Sequence, residues 1–164
     1  IGDVFANING TMGLTGCADE MIVMSKESRD DENTKLSITG RDVEMQDYQM
    51  NFNKDCCRWH VLGTTDEVEE RKTIEEYNNN PLTLTIRKLL SQNKEGWTGG
   101  ATEIINASRA FKTPIRDKAQ SIGKSISKIQ DLLFQQDNIL YELIKNGTGA
   151  NKHRFYYGYN PFIE

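Results

Sequence analysis

Ile122-Gly123-Lys124-Ser125-Ile126-Ser127-Lys128-Ile129-Gln130-Asp131-Leu132-Leu133 is the stretch whose reading decides the fold. Its residues Ile122, Ile126, Ile129 and Leu133 recur at alternating steps of four and three, which places them on one face of a helix. Two strand-like runs follow, Ile139 to Lys145 and His153 to Tyr157. They flank the glycine-rich turn Asn146-Gly147-Thr148-Gly149-Ala150-Asn151, and together read as a β-hairpin. Upstream, Leu82, Ile86, Leu89 and Leu90 give a second helix at the same spacing. It starts after Asn78-Asn79-Asn80-Pro81, where proline suits a first helical turn. Glu95-Gly96-Trp97-Thr98-Gly99-Gly100 interrupts it, with Trp97 as an apolar plug. A shorter helix with Ile104 and Ile105 inward comes next, and Phe111 to Lys118, with Pro114, is irregular.

Three helices and then a hairpin is winged-helix order. In a helix-turn-helix arrangement the last helix enters the major groove and its outward face meets phosphates and base edges. Here that face offers Lys124, Ser125, Ser127, Lys128 and Gln130, and the hairpin tip adds Lys145, Asn151, Lys152 and Arg154. Glycines at 147 and 149 let the turn's backbone approach a phosphate closely. Lysine and serine position a duplex rather than read it, which leaves Gln120 and Gln130 as the amide readers. The same lysines also fit a solvated face, and winged helices serve as protein-docking modules as well.

Charge divides the chain. Residues 1–80 hold 17 acids against 8 bases, a balance of −9, while residues 81–164 hold 7 acids against 12 bases, a balance of +5. A shift of that size points to two units with different partners, the basic one suited to polyanions. No apolar run approaches the roughly 20 residues that span a bilayer, so no membrane partner is expected. The three cysteines, Cys17, Cys56 and Cys57, make no disulfide framework and point to a reducing, cytoplasmic compartment. His60 and His153 stand at no finger-like distance from a cysteine pair, so no metal site is expected.

The first half reads as strands: Met21 to Ser25, Leu36 to Ile38, Tyr48 to Phe52 and Trp59 to Leu62, separated by polar turns. Such short connections favour antiparallel hairpins. Thr64 and Glu67 have capping-box spacing, and a charged segment with few apolar anchors runs on to Tyr77. The expected fold class is therefore α+β. A small, mostly antiparallel β unit occupies 1–63, an acidic helical linker 64–80, and a winged-helix domain 81–164.

The run Gly10-Thr11-Met12-Gly13-Leu14-Thr15-Gly16-Cys17-Ala18-Asp19, the strand Met21 to Met24, and Ile38-Thr39-Gly40-Arg41-Asp42-Val43-Glu44 carry a family resemblance. With Trp59-His60-Val61-Leu62-Gly63, they resemble the C-terminal part of RecA-like ATPases of the AAA family carried by phages, plasmids and integrated elements. These are relatives of hexameric replicative helicases. The resemblance covers residues 3–63 and implies a parent that forms a ring, uses ATP and magnesium, and works on duplex or forked DNA with other replication proteins. It implies that Arg41 acts in trans as an arginine finger, a task that suits a permanently charged bidentate guanidinium. The alternative is an ion pair of Arg41 with Asp42 or Glu44. It further implies that Gly10, Thr11, Gly13, Thr15, Gly16 and Asp19 couple nucleotide state to DNA, with Asp19 orienting that loop or Arg41.

The chain departs from the family in two respects. It has no G-x-x-x-x-G-K-[ST] phosphate loop, and no apolar strand ending in a magnesium-binding aspartate precedes residue 10, so the chain itself is expected neither to bind nor to hydrolyse ATP. Starting at Ile1 without methionine, it reads as a C-terminal piece of such a protein. Two further readings are open: a winged helix that docks an initiator, primase or loader, and a transcriptional regulator with one preferred operator.

Overall fold

The structure, a computed structural model, describes residues 5, 17–26, 28, 33–145, 147 and 150–158. It is α+β, with two antiparallel sheets and four helices among the described residues. The chain divides into two compact units, Ile1–Lys72 and Thr73–Glu164.

The first unit is a four-stranded meander of β1 (Glu20–Ser25), β2 (Asn33–Gly40), β3 (Gln46–Asn53) and β4 (Arg58–Thr64), each paired with the next. Side chains alternate across a strand, so the register decides the faces. Ile22 opposes Ile38, Met24 opposes Leu36, Met50 opposes Val61, and Phe52 opposes Trp59, which places these eight residues on one face. The Phe52 and Trp59 rings lie 5.0 Å apart. Ile22, Met24, Phe52, Trp59 and Val61 on this face are exposed.

The other face combines the half-buried Met21 and Val23 with a polar network. Ser37 is fully buried and its hydroxyl donates to Asp47 Oδ1 at 2.6 Å, while Lys35 Nζ lies 2.7 Å from Asp47 Oδ2. Burial pushes the Asp47 carboxyl up, but the bonds from Lys35 and Ser37 outweigh it and hold the pKa below its ordinary value. Between β3 and β4 the register shifts at Gln49/Met50, which leaves Leu62 as the extra residue of a bulge.

Helix α1 (Thr65–Asn79) starts with the expected capping box. Glu67 N–H donates to Thr64 Oγ1 at 3.3 Å and Thr64 N–H donates to Glu67 Oε2 at 2.9 Å. The division between the two units falls within this helix, at Lys72/Thr73. Its Val68 is buried, and nine residues on, Tyr77 belongs to the core of the second unit. The charged segment thus has an anchor, a single aromatic that no periodic pattern announces.

The second unit runs α2 (Pro81–Gln92), β5 (Trp97–Gly100), α3 (Ala101–Ala110), a single 3-10 turn (Ala119–Ser121), α4 (Ile122–Asp137), β6 (Ile139–Ile144) and β7 (Lys152–Tyr157). Asn80 caps α2 by accepting the Leu82 N–H at 2.9 Å, with Pro81 in the first turn. Strand β5 is the element the sequence reading misses. Its residues Trp97 and Gly99 oppose Phe155 and His153, so β7 is the central strand of a three-stranded sheet ordered β5-β7-β6. Trp97 is less a plug than a strand residue whose ring stacks 6.1 Å from that of Phe155.

Tyr77, Leu82, Ile86, Leu90, Ile104, Ile122, Ile126, Ile129, Leu133, Ile139 and Phe155 form one continuous core. A polar cluster closes its edge. The Tyr77 hydroxyl donates to Asp137 Oδ2, Arg87 Nε donates to the same oxygen at 2.7 Å, and Arg87 Nη2 reaches Asn78 Oδ1 at 2.8 Å. The guanidinium also lies 5.1 Å from the centre of the Tyr77 ring. Burial, then the neighbouring Asp137 carboxylate, push the Tyr77 hydroxyl well above its ordinary pKa, so it stays a donor. Tyr77→Ala is expected to destabilise this unit by about 3–5 kcal/mol. Tyr77→Phe removes only the hydroxyl and is expected to cost about 0.5–1.5 kcal/mol, both read from chemical denaturation.

Candidate nucleic-acid interface

The buried stripe of α4 fixes what the helix presents outward. Residues advance by about 100° per position, so with Ile122, Ile126, Ile129 and Leu133 inward, Lys124 lies opposite the stripe. Ser127 and Lys128 flank that line, and Lys124, Ser127, Lys128 and Gln130 are all exposed. Asp131 shares the outward face one turn further on and ends its positive stretch. Ser127 Oγ donates to Gly123 O at 3.0 Å. Ser125 has a different occupation: its hydroxyl donates to Asp117 Oδ2 at 2.5 Å, which ties the segment before α4 to the first turn of the helix.

At the hairpin, Lys145, Asn151 and Lys152 are exposed. Arg154 is partly committed, since it lies 3.6 Å from Glu142 directly across the ladder and its guanidinium stands 5.1 Å from the centre of the Tyr156 ring. On the inner face of the same strand His153 is buried, and the Tyr141 hydroxyl bonds its Nδ1 at 3.0 Å. Burial pushes the His153 pKa down and the Tyr141 pKa up. The imidazole also packs on α4, because a Cβ at Gly123 would lie 3.7 Å from its Cε1. The hairpin is therefore seated on the helix, and Lys124, Ser127 and Lys128 belong to the same unit as Lys145, Asn151 and Lys152.

Sequence reasoning missed part of the cationic surface. Lys112, Arg116 and Lys118 are all exposed in the segment between α3 and α4. Their signal was charge alone, in a stretch without periodicity. Gln130, by contrast, lines a cavity of about 260 Å³ with Asp131, Phe134, Gln135, Ile139, Leu140 and Tyr141. Phe134 there is 54% exposed.

In the first unit, Arg41 follows the end of β2, where Gly40 closes on the start of β1. A Cβ at Gly40 would lie 2.6 Å from the Asp19 carbonyl oxygen, so only glycine fits the approach. The Arg41 N–H donates to that carbonyl at 2.8 Å, and its guanidinium lies 3.4 Å from Asp19 Oδ1. Asp19, 22 positions away, takes the place in the ion pair that the sequence reading offered to Asp42 or Glu44. Both side chains are more than three-quarters exposed, so the pair contributes little to stability. Gly10, Thr11, Gly13, Thr15 and Gly16 lie outside the described residues.

Among the described residues no group of three or more His, Cys, Asp or Glu side chains is arranged to hold a metal ion, and no helix is long and apolar enough to cross a membrane. Comparison with protein-family models, curated proteins and solved structures found no match.

The buried imidazole makes stability pH-dependent with a defined sign. Its folded pKa lies below the unfolded value of about 6.5, so its neutral form is fully favourable above that value. Stability falls as pH drops from about 6.5 through the folded pKa, because only the unfolded chain takes up the proton. The urea midpoint of the chain is expected to decline over that range, and His153→Phe to flatten the decline. An unchanged slope in the variant would show that His153 is not the responsible group.

Proposed function

We propose that this chain is a DNA-binding, C-terminal part of a RecA-like, helicase-related replication ATPase of mobile-element type, and that residues 81–164 act as its winged-helix domain. The observation that carries the reading is one helix with its apolar stripe buried and its cations outward, with a β-hairpin seated against its first turn. That order of elements, α2-β5-α3-α4-β6-β7, supports a winged-helix assignment. Lys124, Ser127 and Lys128 then meet phosphates and base edges in the groove, and Lys145, Asn151 and Lys152 meet the backbone beside it. Ser125 positions α4's neighbouring segment, and Arg154 contributes through a guanidinium shared with Glu142.

In the parent protein, a cytoplasmic ring and by resemblance a hexamer, Arg41 reaches a neighbouring subunit's nucleotide. Support for this is its place at a strand end with an exposed guanidinium aligned by Asp19. The chain carries no phosphate loop, so ATP and magnesium belong to the part of the parent that would bear one.

A second reading, a protein-docking module for replication partners, draws on the exposed Phe134 beside its cavity. The two separate by salt. Duplex binding followed by fluorescence anisotropy is expected to weaken steeply with salt, by a log–log slope of about −0.9 for each phosphate contacted. Lys124→Gln with Lys128→Gln is expected to reduce that slope by about 1.8. Phe134→Ala is expected to leave it unchanged. A chain with no affinity for duplex even at low salt would leave the docking reading standing instead.

A further inference from the structure

Two segments grip opposite sides of the first turn of α4. With Lys124 opposite the buried stripe, Gly123 and Ser125 point roughly a quarter-turn to either side. Gly123 is where the hairpin's His153 packs, and Ser125 is where Asp117 is bonded. The exposed cations of α4 therefore stand between the hairpin on one flank and the segment Lys112–Lys118 on the other. That segment is held in place at several points. Thr113 N–H donates to Ser108 O at 2.9 Å, Ile115 N–H donates to Ser108 Oγ at 3.3 Å, and Ser121 N–H donates to Lys118 O at 2.9 Å. Its three cations are exposed, and Asp117, the one acid among them, is bonded to Ser125.

We propose that Lys112, Arg116 and Lys118 form a second phosphate-contacting limb, so that the surface straddles a duplex, with α4 in the groove, the hairpin on one backbone and this limb on the other. The inference rests on the DNA-binding reading above and specifies its substrate class: double-stranded rather than single-stranded nucleic acid. A major groove about 12 Å wide admits one helix and leaves a phosphate backbone on each side of it, which is the spacing problem that two flanking limbs answer. A single strand offers only one backbone and meets one limb at a time. Ser125 is a positioning residue here, because its hydroxyl fixes the limb through Asp117.

The test compares a labelled random-sequence duplex with one of its own strands across a salt series, using the whole chain. The duplex is expected to bind more tightly and with the steeper slope. Lys112→Gln, Arg116→Gln and Lys118→Gln together are expected to lower the duplex slope by about 2.7, with the thermal melt unchanged because all three side chains are exposed. Ser125→Ala is expected to weaken duplex binding, while Asp117→Asn, which keeps an acceptor for the hydroxyl and removes a negative charge, is expected to strengthen it. A triple variant that keeps the full slope overturns the second limb and leaves the α4 surface intact. Equal affinity for the single strand overturns the straddling arrangement. Absence of binding to either probe overturns the DNA reading and this inference with it.

Discussion

Burial of one stripe of α4 controls the arrangement of the second unit. Ile122, Ile126 and Leu133 are fully enclosed and Ile129 nearly so, in a core that also takes in Leu82, Ile86, Leu90, Ile104, Ile139 and Phe155. Each such side chain contributes about 1.5–3 kcal/mol when removed from water, so rotating the helix by even one position would forfeit much of the core. The rotation of α4 is thus fixed by hydrophobic burial. Its outward chemistry follows from that choice, and electrostatics has little part in setting it. Packing at native density makes this a discrete arrangement rather than a continuum.

The elements around it were legible to different degrees. The spacing of Leu82, Ile86, Leu89 and Leu90, and of the α4 stripe, announced two helices because burial imposes a helical period. Alternation in Tyr48 to Phe52 did the same for a strand. Trp97-Thr98-Gly99-Gly100 gave no such signal: it is four residues long, half of them glycine, and becomes a strand only because β7, more than fifty residues later, supplies its hydrogen-bonding partner. Tyr77 was opaque for a similar reason. It acts through a contact distant in sequence, with Asp137, whereas Asp19 was already offered as a residue that orients Arg41, though not as its ion-pair partner. Lys112, Arg116 and Lys118 stand in a segment whose shape is set by local hydrogen bonds to Ser108 and Ser125, which leave no periodic trace.

The two units solve the burial problem differently. The helical unit encloses its own core. The meander carries a polar network on one face, centred on Asp47, and on the other leaves Ile22, Met24, Phe52, Trp59 and Val61 exposed. That face is unevenly covered, since Thr34 and Met50 on it are buried. Its strands are held in order by their register pairs, with a bulge at Leu62.

Gly123 has a mechanical consequence. With 3.7 Å between its missing Cβ and the His153 ring, alanine would fit in ordinary contact, while a longer side chain directed at the ring would press on the hairpin. Enlarging position 123 would act as a shim beneath the hairpin, and shift its exposed lysines relative to α4 without changing their charge.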